Sequence, residues 1–204
     1  MWRALQALAF VMLSSAEASD AAALLLELRV FNGTAEVTSH TRVTVHRAGD
    51  RGQPLAQATG GRNGIELQVP EGIYDVQAIQ EQDGQVVNIQ WANRLVVMPY
   101  PDEAGRHLEV LNFKNGFGAL QVRAPGGSAP EVTLHSAGVQ DRGTPTLKTR
   151  PITAVALKGP GYSLFVVPAG IYELTVNRGD RTTRHTDIEV PRNRTRLWLV
   201  PEEP

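Results

Sequence analysis

Hydrophobic and polar positions alternate along most of the chain. In Arg42-Val43-Thr44-Val45-His46 the valines fall on one side of an extended backbone and the polar residues on the other, and Glu131-Val132-Thr133-Leu134-His135 repeats the pattern. Ile65, Leu67 and Val69 form another inward row, as do Leu164, Val166 and the Val167-Pro168 step that follows. Tyr74, Val76 and Ala78 share a face, and so do Tyr172, Leu174 and Val176. Val87, Ile89 and Trp91 continue the series, with Ile188 and Val190 in the corresponding later place. A further strand is expected from His107 to Phe113, with Leu108, Val110 and Asn112 on one side. Beyond the first residues no segment has a 3.6-residue period. The 19 glycines and 13 prolines are spread between the apolar rows, as turns between short strands require. The pattern predicts an all-β chain of antiparallel sandwich type.

The rows also recur. Val69-Pro70-Glu71-Gly72-Ile73-Tyr74-Asp75-Val76 matches Val167-Pro168-Ala169-Gly170-Ile171-Tyr172-Glu173-Leu174. Val45-His46-Arg47-Ala48-Gly49 with Asp50-Arg51-Gly52 matches Leu134-His135-Ser136-Ala137-Gly138 with Asp141-Arg142-Gly143. Leu28-Arg29-Val30 pairs with Leu120-Gln121-Val122, and Leu95-Val96-Val97-Met98-Pro99 with Leu197-Trp198-Leu199-Val200-Pro201. Matches in the same order, at similar spacing, imply two tandem β-sandwich domains, 19–114 and 115–204. Their junction, Phe113 to Gly118, lacks the Gly/Ser run of a flexible tether. End-to-end stacking with Phe113 or Phe117 at the boundary is expected.

Residues 1–18 have a different character. One positive charge at Arg3 precedes a run from Ala4 to Leu13 that is apolar apart from Gln6, followed by small residues with Ala16 and Ala18 in A-x-A relation. This is the pattern of a signal peptide, cleaved after Ala18 as the first choice and after Ala16 as the second. The run is too short to span a bilayer, which needs roughly 20 residues. A secreted or periplasmic product with no integral membrane segment after cleavage is expected.

The Val-Pro-x-Gly-Ile-Tyr step, followed by an alternating strand, resembles the carboxypeptidase-regulatory-like, transthyretin-like (prealbumin-like) domains, and is similar to the collagen-adhesin B-type domains. The resemblance covers nearly all of both copies. It implies an Ig-like or transthyretin-like sandwich that serves as a stalk, spacer or accessory binding module. Some adhesin domains of this kind carry a lysine–asparagine crosslink. Here the first strands carry Arg29 and Arg123, and the only lysines are Lys114, Lys148 and Lys158, so that crosslink is not expected.

Composition narrows the chemistry. Cysteine is absent, which removes disulfides, thiolate metal sites and a cysteine nucleophile. The net charge of −1 provides no field for nucleic acid. His46 and His135 sit just past inward-facing residues and are expected to point outward, with no second ligand at metal spacing. The recurrent Asp-Arg-Gly reads as a turn, with aspartate capping amides and glycine taking the strained angle. No nucleophile has a base beside it, so neither enzymatic activity nor a cofactor is expected.

The charge is unevenly shared. Residues 19–118 carry a balance of −4 and residues 119–204 one of +3. Arg192, Arg194 and Arg196 alternate and would share a strand face, with Trp198 on the same row or in the core. That row is the candidate binding site, either a solvated edge strand or a patch for an acidic glycan, a lipid headgroup or an acidic protein. The functional expectation is a non-catalytic structural or protein-interaction module with an envelope or surface protein as partner. The alternative is binding of an acidic glycan through the arginine face.

Overall fold

A computed structural model describes residues 23–61, 64–99, 105–125, 129–136, 153–154, 156–159 and 161–201. The signal sequence and the Asp141-Arg142-Gly143 turn lie outside the described residues. The first eight strands are β1 (Ala23–Asn32), β2 (Ala35–Glu36), β3 (Thr41–Arg47), β4 (Ala56–Thr59), β5 (Ile65–Pro70), β6 (Gly72–Gln82), β7 (Gln85–Val97) and β8 (Arg106–Asn112). The rest are β9 (Phe117–Arg123), β10 (Glu131–Ser136), β11 (Thr153–Ala154), β12 (Leu157–Gly159), β13 (Tyr162–Pro168), β14 (Gly170–Arg178), β15 (Arg181–Val190) and β16 (Thr195–Leu199).

The fold is an all-β sandwich arrangement. One sheet runs β4-β3-β6-β7 and faces a second in which β1 lies between β8 on one side and β5 and β2 on the other. Between them Leu26, Leu28, Val43, Val45, Ile65, Val69, Tyr74 and Val76 form a buried core. A third sheet, β12-β13-β9-β16, faces a fourth, β11-β10-β14-β15. Their core includes Leu120, Val122, Leu134, Phe165, Val167, Leu174 and Val190. Most neighbours are antiparallel, but β1 pairs in parallel with β8, and β9 with β16. Chain reversal inside one sheet gives antiparallel pairs, whereas the first and last strands of a sandwich meet only after the chain has crossed between sheets.

The Val-Pro-x-Gly-Ile-Tyr step is the crossing point. It ends β5 in one sheet and starts β6 in the other, and does the same between β13 and β14. The Tyr74 hydroxyl donates to the Pro70 carbonyl at 2.6 Å, and Tyr172 donates to Pro168 at the same distance. The glycine of the step does not adopt a positive φ. A Cβ on Gly72 would meet the Tyr74 hydroxyl at 3.2 Å, so its role is to leave room for the ring.

The two sandwiches lie face to face, not end to end. Phe31, Leu108 and Val110 from the outer side of the second sheet pack on Ala119, Tyr162 and Leu164 from the outer side of the third. This contact corrects the assignment of β13: Leu164 and Val166 face the other sandwich, while Phe165 and Val167 enter the core of their own. With apolar residues on both faces, alternation alone could not tell the two rows apart. Phe117 reaches the boundary, with its ring beside Gly33, whereas Phe113 packs on the first core.

A polar network crosses the same contact. Glu27, 2% exposed, accepts a 2.7 Å hydrogen bond from the Tyr162 hydroxyl and pairs with Arg106 at 3.2 Å and Arg29 at 3.4 Å. Burial, and then the Glu27 carboxylate, push the Tyr162 hydroxyl well above the usual phenol range.

Candidate functional site

A polar cleft of about 370 Å³ opens between two sheet edges. One wall is β7 from Gln90 to Val96, and the other is β8 from His107 to Asn112. The turn Arg192 to Thr195 closes it from the second sandwich. This turn is strapped in place. Asn193 N–H donates to the Phe117 carbonyl at 2.7 Å, and Ala119 N–H to that of Arg194 at 3.0 Å. Thr195 completes the strap: its N–H donates to Glu109 Oε1 at 2.8 Å, and its hydroxyl accepts from Val110 N–H at 2.8 Å. Deeper in, His107 Nδ1–H donates to the Met98 carbonyl at 3.0 Å, while Nε2 lies 3.8 Å from Glu109.

The arginine row expected to share one face is divided. Arg192 and Arg194 precede β16, with Asn193 between them at φ 54°, and both line the cleft. Arg196 turns toward the edge of the fourth sheet and donates to the Glu189 carbonyl at 3.1 Å. Trp198 packs against the second core, edge-on to His185 with ring centroids 4.8 Å apart, so it does not join the arginines on an open surface. The reason is local: the strand begins only at Thr195, so alternation has no meaning before it.

A second cluster lies beside the cleft on the outer face of β4-β3-β6-β7. Arg51 pairs with Asp75 at 3.0 Å, donates to Asn93 at 2.6 Å and covers the Trp91 ring at 4.2 Å. The Arg94 N–H above all, with Arg51 and the Gly49 N–H, holds the Asp75 carboxyl below its usual range against the opposing effect of burial. His46 is buried against Trp91 and not outward in solvent, because the indole covers that end of the sheet. The Asp50 carboxylate does cap the Gly52 N–H, but the positive φ belongs to Gly49 and not Gly52. Arg51 therefore serves to fasten the loop to Asp75. In the corresponding place of the second sandwich, His135 stands opposite Glu173, which Arg184 pairs with.

Sequence reasoning also missed where apolar residues stay exposed. Val87 and Ile89, expected to continue a core row, are 46% and 56% exposed, and Val86 is exposed beside them. Ile89 pairs in register with Ile79 and Trp91 with Gln77, on the face opposite buried Val76 and Ala78, so this row points out of the sandwich, and Val87 falls at the bulge between Gln80 and Glu81. Among the described residues no group of three or more histidines and carboxylates converges on a metal-sized space.

No family model matches the chain. No curated protein matches it either. Among solved structures it is similar to the TIE protein of Bacillus anthracis, at 13% identity and a TM-score of 0.32, over 87% of this chain and 33% of that one. It is also similar to the C-terminally truncated tip fimbrial protein Mfa3 of Porphyromonas gingivalis, at 9% identity and a TM-score of 0.33, over 89% of this chain and 96% of that one. Overlap at this level leaves function to be argued from the chain's own surface.

Proposed function

We propose that this chain is an exported, non-enzymatic protein-interaction module, built from two transthyretin-like domains (19–114 and 115–204) behind a signal peptide cleaved after Ala18. The observation that carries the reading is the unequal dressing of equivalent strands. In the first sandwich β7 presents Val86, Val87, Ile89 and Val96 to solvent, with Ile73 exposed on the neighbouring strand. In the second, β15 occupies the same place in its sheet and presents Arg181, Arg184, Asp187 and Glu189. An exposed apolar cluster beside a polar cleft suits a protein partner. The test is capture of partners from envelope extract by the exported protein and by a Val87→Lys/Ile89→Lys variant. Partners that bind the native protein should be lost from the variant while its Tm stays unchanged. Equal capture by both would overturn the reading.

Binding of an anionic glycan keeps one supporting observation, the position of Arg192 and Arg194 on the cleft. It loses the stacking surface, since Trp198 is engaged with the core.

A further inference from the structure

Five of the edge strands in the four sheets are short: β2, β4, β11, β12 and β16 have between two and five residues each. β8 has seven, and Thr195 caps part of its free side. β15 has ten, four of them charged. These are the devices by which sheet edges avoid pairing with other chains. β7 has only one such device between Gln85 and Ala92, the bulge at Val87 in its ladder with β6. It has thirteen residues, pairs only with β6 among the described strands, and carries one charge, Arg94. Arg94 sits at a bulge, with φ 55° and its N–H tied to Asp75. From Gln85 to Ala92 the edge is long, uncharged and flanked by exposed valine and isoleucine.

That edge runs into the cleft, where Arg192 and Arg194 stand in no ion pair among the described residues. Glu109, the carboxylate within the cleft, is already held by the Thr195 N–H. An incoming strand would therefore find backbone hydrogen-bonding groups along β7, apolar side chains beside them and uncompensated positive charge at the end.

We propose that β7 is a strand-addition site, where an extended, acidic segment of a partner protein pairs with Gln85 to Ala92 and sets a carboxylate against Arg192 and Arg194. The proposal rests on the interaction-module reading and specifies its mode. A segment paired along those eight residues would extend about 27 Å at the usual strand rise.

The probe is a short synthetic peptide of alternating valine and threonine with interspersed glutamates, followed by fluorescence anisotropy on the full exported chain. Its controls are the same peptide with lysines for the glutamates and one with prolines at alternate positions. The acidic peptide should bind, and both controls should bind at least about tenfold more weakly. Arg192→Glu/Arg194→Glu, at exposed turn positions, should keep its Tm and reverse the preference toward the lysine peptide. Amide hydrogen exchange of Gln85 to Ala92 should slow when the acidic peptide is bound. Binding without that protection, equal binding of the proline peptide, or no binding of the acidic peptide would each overturn strand addition. If partner capture still depended on Val87 and Ile89 in that event, the broader reading would stand and only the mode would fall. An acidic oligosaccharide that bound through Arg192 and Arg194 and displaced the peptide without protecting β7 would assign the cleft to glycans instead.

Discussion

Tyr74 and Tyr172 show how one residue can close a sandwich. Each hydroxyl returns to the proline carbonyl four residues earlier, at the point where the chain leaves one sheet for the other. Tyr74→Phe or Tyr172→Phe should each cost about 1 kcal/mol, read as a lower urea midpoint at unchanged slope. The same residues set an alkaline limit. Burial raises both hydroxyls above the ordinary phenol value, and Tyr162 is raised further. A group with a raised folded-state pKa stabilises fully below its unfolded value and loses that contribution as pH climbs toward the folded one. Stability should hold up to about pH 10 and fall above it, and the fall should be shallower in the Tyr74→Phe/Tyr172→Phe protein. Urea midpoints at neutral and alkaline pH check this; equal slopes against pH in both proteins would contradict it.

At the scale of elements, most strand rows were legible in the sequence because their two faces differ in polarity. Val43 and Val45, Ile65 to Val69, and Tyr172 to Val176 are buried as the alternation predicts. β13 was misread because both its faces are buried, and β7 because its apolar row of Val87, Ile89 and Trp91 belongs to the outer face of the sheet, with Ile89 opposite Ile79 and Trp91 opposite Gln77. Half of the candidate site was legible in the same sense. Arg192 and Arg194 do line a cleft, but its walls come from β7 and β8, which only the packing of the two sandwiches brings to that turn. The turn depends on Gly118, where a Cβ would overlap the Pro191 carbonyl oxygen. Gly118→Ala should cost about 1–3 kcal/mol through overpacking. It should also displace the strap, so that exchange of the Asn193 and Thr195 amides speeds up more than the global loss requires. A loss of stability spread evenly over all amides would argue against that role.

On the scale of the whole molecule, three apolar layers separate four sheets, and the middle layer contains the buried Glu27–Tyr162–Arg106 network. An end-to-end pair would unfold as two units. Face-to-face packing with a desolvated charge cluster should couple the halves, so calorimetry of the intact chain should give one transition. Tyr162→Phe, which takes a donor from a buried carboxylate, should lower its midpoint by the equivalent of roughly 1.5–3 kcal/mol. Two separate transitions in the unaltered protein would show that the middle layer does not couple them.

The parallel pairing of β1 with β8, and of β9 with β16, has a mechanical consequence. In each sandwich the first strand and the last lie side by side and point the same way. Tension applied through the two ends of a sandwich pulls these strands past each other lengthwise. Their ladder hydrogen bonds then bear the load together, instead of parting one after another as in a hairpin opened from its ends. Load drawn through the two ends of either sandwich therefore meets its parallel ladder in shear.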